Sequence, residues 1–181
     1  MDSAIPTPSI PPHVNPPPLA LVVMGVSGCG KSSAAAAVAQ QLGWRLVEGD
    51  SYHSPESVAK MNAGTPLTDA DRAGWLQRLA DLLAAAAPDD GSVLTCSALK
   101  RRYRDQLRAA QPRLGFVFLD LDYATALARV QTRAGHFFSP ELVANQFATL
   151  EDPRAEPDVL TLPATMALPD IAARVQQWLA R

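Results

Sequence analysis

Six apolar residues, Leu19-Ala-Leu-Val-Val-Met24, run directly into Gly25-Val-Ser-Gly-Cys-Gly-Lys-Ser32, and an alanine-rich stretch to Leu42 follows. Few folds accept those three segments in that order. A short aliphatic run bounded by glycine suits a buried strand. The middle segment fits the pattern G-x-x-x-x-G-K-[ST] at every position. Strong helix formers follow it, with Val38 and Leu42 one turn apart. The expectation is a buried strand feeding a helix N-terminus through a glycine-rich turn.

The residue types in that turn point to phosphate. Gly25, Gly28 and Gly30 let the backbone turn its N–H groups inward against phosphate oxygens. The helix N-terminus adds partial positive charge. Because such a loop acts through its backbone, Ser27, Cys29 and Ser33 count with the glycines among the expected nucleotide-binding residues, and the Cys29 side chain is assigned no role. Lys31 is expected to reach the β- and γ-phosphates of a nucleoside triphosphate, and Ser32 to place its hydroxyl on Mg²⁺. The bland alternative, a glycine-rich turn that binds nothing, leaves the complete match to coincidence.

The 181 residues suit one domain with a sizeable core, and 48% hydrophobic with 19% charged residues is ordinary for a globular chain. A net charge of −2 argues against a general nucleic-acid binder. Lys100-Arg-Arg-Tyr-Arg104 is the densest basic run, equally readable as a solvated helix face. Two cysteines, Cys29 and Cys96, make no disulfide framework, which points to a reducing cytoplasm. No apolar run approaches a membrane span, and no signal peptide is recognisable. Residues 1–18 hold seven of the 16 prolines and read as a disordered or polyproline-II tail before a domain at 19–181.

Beyond Leu42, strands are expected at Arg45–Glu48, Ser92–Cys96, Gly115–Leu121 and Val159–Leu162. Ser54 and Pro55 open a helix to about Asn62, and Thr68 with Asp71 resembles a capping box for the helix carrying Trp75, Leu76, Leu79, Leu82, Leu83 and Ala86. Further helices fit Leu99–Ala110, Tyr123–Thr132, Pro140–Leu150 and Leu168–Ala180. Strand and helix alternate five times, which predicts an α/β, doubly wound, five-stranded parallel sheet flanked by helices.

Ligands of such sheets bind beyond the C-terminal strand ends. There the sequence places the phosphate loop, then Asp50 with His53 three residues on, then Ser97 and Lys100. No aspartate ends the third strand to hold Mg²⁺, so Asp50 is the expected substitute, either for holding a metal-bound water or for taking a proton from an attacking hydroxyl. Arg129 and Arg133 flank Arg133-Ala-Gly-His-Phe-Phe138, where a mobile arginine could close over a transferred phosphoryl group. From spacing alone, each is equally a solvated helix charge. Asn-Lys-x-Asp is absent, which argues against a guanine-specific switch.

These pieces together resemble the gluconokinases, phosphate-loop small-molecule kinases akin in fold to shikimate and nucleoside monophosphate kinases. The resemblance rests on Glu48-Gly-Asp50 with His53, Lys60-Met-Asn-Ala-Gly-Thr-Pro-Leu-Thr-Asp-Ala-Asp-Arg72 followed by Trp75-Leu76, and Cys96-Ser-Ala-Leu-Lys100. It continues through Tyr103-Arg-Asp105, Arg133–Phe138 and Gln146-Phe147 to Pro153, covering residues 20 to about 160 in order. It implies ATP- and Mg²⁺-dependent phosphorylation of D-gluconate at its 6-hydroxyl beneath a lid at about 133–153. Carried over by position, Lys31, Asp50 and Arg133 are the catalytic candidates, with Asp50 as base. Arg129 joins the loop on the nucleotide, and Asp50, His53, Arg72, Lys100 and His136 are candidates for the sugar acid. Ser32 and Asp50 are candidates for the metal. The resemblance also implies a cytoplasmic homodimer. Competing readings are a shikimate- or nucleotide-type kinase, against which Ser97-Ala-Leu replaces a glycine triplet, and a non-catalytic nucleotide-binding module.

Overall fold

A computed structural model of the chain describes residues 10–12, 16–87, 89–133 and 139–181. Five parallel strands lie in the order β2-β3-β1-β4-β5: β1 Ala20–Met24, β2 Arg45–Glu48, β3 Ser92–Thr95, β4 Leu114–Asp120 and β5 Val159–Pro163. The central strand β1 is buried along its whole length, as its unbroken aliphatic sequence requires. Its alternate residues face opposite layers. Leu21 and Val23 join one core with Val38, Val175 and Trp178, and Ala20, Val22 and Met24 join another with Trp75, Leu79, Tyr103 and Leu107.

Those layers come from helices α1 Lys31–Leu42, α2 Pro55–Asn62, α3 Asp69–Ala85, α4 Arg101–Ala110, α5 Tyr123–Thr132, α6 Pro140–Thr149 and α7 Leu168–Leu179. The doubly wound expectation holds throughout. The capping box on α3 forms, with Thr68 accepting from the Asp71 N–H and Asp71 accepting from the Thr68 N–H. Ser54 caps α2 with Pro55 in its first turn. No helix among the described residues is long and apolar enough to cross a membrane.

Three local features differ from the sequence reading. Asp50 lies in a single 3-10 turn, Gly49–Tyr52, rather than a plain loop. The helix expected from Leu99 begins at Arg101, because Lys100 is extended, with φ −99° and ψ 144°, and stands as its N-cap; Ala98 before it takes a left-handed φ of 45°. Part of the proline-rich tail packs against the domain. Ile10 is buried in the core beside Trp178, its carbonyl accepts from Arg181 Nη1 at 2.7 Å, and the Pro17 carbonyl accepts from Arg113. A single aliphatic residue suffices to dock where an apolar recess is open to it.

Candidate active site

At the C-terminal end of β1 the chain turns through the phosphate loop into α1. Gly28 has φ 84°, and a Cβ there would lie 2.9 Å from the Ala126 carbonyl, so the loop can press against α5 only without a side chain. Cys29 points into the core and is buried. Gly25 and Ser27 belong to the turn itself, Gly30 caps α1, and Ser33 is exposed in its first turn. Lys31 Nζ folds back over the loop, donating to the Gly25 carbonyl at 3.0 Å and the Val26 carbonyl at 3.2 Å. The Ser27 N–H donates to Gln146 Oε1 on α6 at 2.7 Å.

Ser32 Oγ donates to Glu48 Oε2 at 3.1 Å, and the same oxygen accepts from Thr95 Oγ1 at 2.8 Å. Glu48 and Thr95 are paired across the β2–β3 ladder, so sheet register brings this carboxylate to the Ser32 hydroxyl. Thr95 Oγ1 also accepts from the Gly49 N–H at 3.0 Å, and the Gly49 carbonyl accepts from Trp75 Nε1 at 2.8 Å. A Cβ on Gly49 would come within 2.0 Å of the Thr95 carbonyl. Only glycine lets β2 turn there between Glu48 and Asp50.

Asp50 is exposed, 3.7 Å from His53 Nε2. The imidazole, and then the charges of Lys31 and Arg72, hold the Asp50 carboxyl below the usual aspartate range, so it is ionised at neutral pH. His53 is buried, stacked on Trp75 with ring centroids 4.1 Å apart. Its Nδ1 has no hydrogen-bond partner among the described residues, an orphaned polar atom at the wall of a cleft. That cleft, about 70 Å³, is lined by Lys31, Asp50, His53, Arg72, Ser97 and Gln146 among others.

The other expected residues lie around this centre. Arg72 lines the cleft. Lys100 turns away from it, with Nζ 3.0 Å from Asp69 Oδ1. Arg102 and the Tyr103 hydroxyl reach the same carboxylate, which these donors hold far below the aspartate range, the tyrosine contributing most. Arg129 Nη1 donates to the Gly28 carbonyl at 3.1 Å, bracing the phosphate loop from α5. Arg133 is exposed at the end of α5. His136 lies outside the described residues.

Three groups at or behind the site carried no assigned role in the sequence reading. Glu48 was visible only as the first residue of Glu-Gly-Asp. Gln146 meets a backbone 119 positions away. Behind the cleft, Arg104 is wholly buried. Its Nη1 donates to the Ala98 and Leu99 carbonyls at 2.7 and 3.1 Å, and its Nη2 to the Glu151 carbonyl at 3.0 Å. Nε and Nη2 clasp Glu156 at 2.9 and 2.5 Å, and Arg108 adds a bond to Glu156 at 2.8 Å. The left-handed Ala98 and the loop after α6 are thus fixed to one guanidinium.

A parallel sheet with a phosphate loop, a carboxylate beside its Ser32, and a polar acceptor cleft at the same strand ends defines a phosphate-loop small-molecule kinase. Residues 21–157 match the family model described as an AAA domain. The chain is 48% identical over 144 residues to a gluconokinase of Gluconobacter oxydans, covering 79% of this chain and 81% of that one. The crystal structure of a gluconokinase from Sinorhizobium meliloti superimposes with a TM-score of 0.82 at 42% identity, covering 92% and 94% of the two chains. A shikimate kinase from Aquifex aeolicus, 14% identical with a TM-score of 0.64 over 89% and 96%, shares the fold alone. The chain belongs to the gluconokinase family.

Proposed function

We propose that this protein transfers the γ-phosphoryl group of ATP to the 6-hydroxyl of D-gluconate, giving 6-phosphogluconate and ADP. The observation that carries the reading is the opening of the phosphate loop into the same cleft as Asp50, His53 and Arg72. A sugar acid asks for one cation on its carboxylate and mixed donors and acceptors along its polyol. Arg72 serves the first need and His53, Asp50 and Ser97 the second. Lys100, engaged by Asp69, steadies the acceptor loop unless substrate draws it inward.

Catalysis of phosphoryl transfer is mainly positioning and charge stabilisation. Backbone N–H groups of the loop hold the phosphates, and Lys31 exchanges its two carbonyl partners for phosphoryl oxygens. Ionised Asp50 accepts the proton of the 6-hydroxyl as the O6–P bond forms, the bond from the γ-phosphorus to the bridging oxygen breaks, and ADP leaves with that electron pair. Arg129 and Arg133 are the candidates for stabilising charge on the transferred phosphoryl group.

Among the described residues no cluster of three His, Cys, Asp or Glu side chains could enclose a metal ion. A Mg²⁺ ion carried on nucleotide needs only one or two carboxylates and a hydroxyl, and Ser32, Glu48 and Asp50 fit that set. Held by those residues, the ion would supply charge neutralisation for phosphoryl transfer. A cytoplasmic homodimer belongs to the same proposal, supported by the resemblance and tested by sedimentation.

The decisive experiment is coupled ADP release with ATP and Mg²⁺, comparing D-gluconate, shikimate, AMP and no acceptor. Turnover with gluconate alone is expected. Turnover with another acceptor, or equal release without any, would overturn the assignment.

A further inference from the structure

Among the described residues, Gln146 is the side chain of α6 that hydrogen-bonds to the phosphate loop, and it reaches it through a single atom. Its Oε1 accepts from the Ser27 N–H at 2.7 Å, and the residue is half-buried in the cleft wall with Lys31, Asp50, Arg72 and Ser97. An amide has one acceptor end and one donor end. With the oxygen committed to Ser27, the two Nε2–H donors are the end left for a ligand. Phosphate-loop N–H groups point at the phosphoryl site, so an amide seated on one of them stands beside the transferred group.

The helix is placed by independent contacts. Leu142 and Val143 are buried, Ser139 caps its start, and Phe147 packs edge-on against Tyr123 at 5.5 Å. The Glu151 N–H just beyond it donates to the Leu99 carbonyl at 2.8 Å. Losing the Ser27 bond therefore removes neither the core contacts of α6 nor its cap. Resting on the kinase reading above, we propose that Gln146 positions the reacting groups: its carbonyl seats on the phosphate loop, and its amide N–H groups donate to phosphoryl or acceptor oxygens in the cleft.

Two substitutions separate this from a mere fastening of α6. Gln146→Glu keeps an acceptor for the Ser27 N–H but loses both donors and adds negative charge beside phosphoryl oxygens. Gln146→Ala loses both ends. The assay is steady-state kcat and KM for gluconate and for ATP, with nucleotide affinity followed separately by titration of a fluorescent ATP analogue and folding by thermal melts. Each variant is expected to lose roughly 10- to 100-fold in kcat/KM for gluconate, the worth of one hydrogen bond to a charged oxygen. Gln146→Glu should be at least as impaired as Gln146→Ala, with melting unchanged. Near-normal Gln146→Glu with impaired Gln146→Ala would make the residue a fastening only and overturn the proposal, as would two normal variants. Failure of the parent protein itself on gluconate would sink the functional reading instead, so the two outcomes are distinct.

Discussion

Replacing Arg104 by methionine tests whether one buried guanidinium organises the acceptor side of the cleft. The change keeps an apolar stem of similar length but strands Glu156 with Arg108 as its remaining cation and removes donors from the Ala98, Leu99 and Glu151 carbonyls. Breaking a buried ion pair from one side costs about 3–5 kcal/mol. For a domain of this size each kcal/mol is worth about 2–4 °C in Tm, so the melt should fall by roughly 6–20 °C. Below that melt, KM for gluconate should rise more than KM for ATP, because the loop from Ala98 to Lys100 loses its anchor while the phosphate loop keeps Arg129. Calorimetric melts and two-substrate kinetics are the assays. A double variant with Glu156→Leu should recover part of the loss, since no lone buried charge remains. A Tm within about 2 °C of the parent, or a double variant no better than the single, would refute the argument.

Burial pushes the Glu156 carboxyl up, but hydrogen bonds from Arg104 and Arg108 outweigh it and hold the group below the usual glutamate range. Its stabilising contribution is thus present above that range and lost as pH falls through the lower folded value, so Glu156→Gln should cost stability at pH 7 and little in acid, read from urea midpoints across pH. Asp50→Asn should lower kcat by at least roughly 100-fold with nucleotide affinity nearly unchanged, measured by turnover and nucleotide titration. Glu48→Gln should raise the Mg²⁺ concentration needed for half-maximal turnover and weaken Mg²⁺-dependent nucleotide binding, which a titration of each reads directly. Removing residues 1–12 should leave kcat unchanged but lower the melt by a few degrees, because burying an isoleucine is worth about 1.5–3 kcal/mol as an upper bound.

Local chemistry is what the sequence made readable. The strand, loop and helix from Leu19 to Leu42, the Thr68–Asp71 capping box and the Trp75 face each need only neighbours within a few residues. Asp50, His53 and Arg72 could be gathered because a doubly wound sheet delivers them to one edge. Glu48 escaped notice because its partners Ser32 and Thr95 meet it only through strand order, with β2 paired to β3. Arg104 looked like any charge in a basic run, and nothing local distinguishes a buried arginine from its exposed neighbours Arg101 and Arg102. Lys100 read as a ligand cation, yet whether a lysine faces substrate or a carboxylate such as Asp69 depends on how two helices pack.

The hydrogen bond from Arg181 to the Ile10 carbonyl brings residue 10 and residue 181 side by side at the rim where the strands begin, far from the rim where they end in the cleft. From residue 10 to residue 181 the path of the chain is therefore nearly a closed ring. A short flexible peptide could join those positions, and the ring could be reopened at the exposed turn of Asp89 and Asp90 with every strand pairing retained. Such a rewired chain would separate what the order of synthesis contributes to folding from what the finished architecture contributes to catalysis.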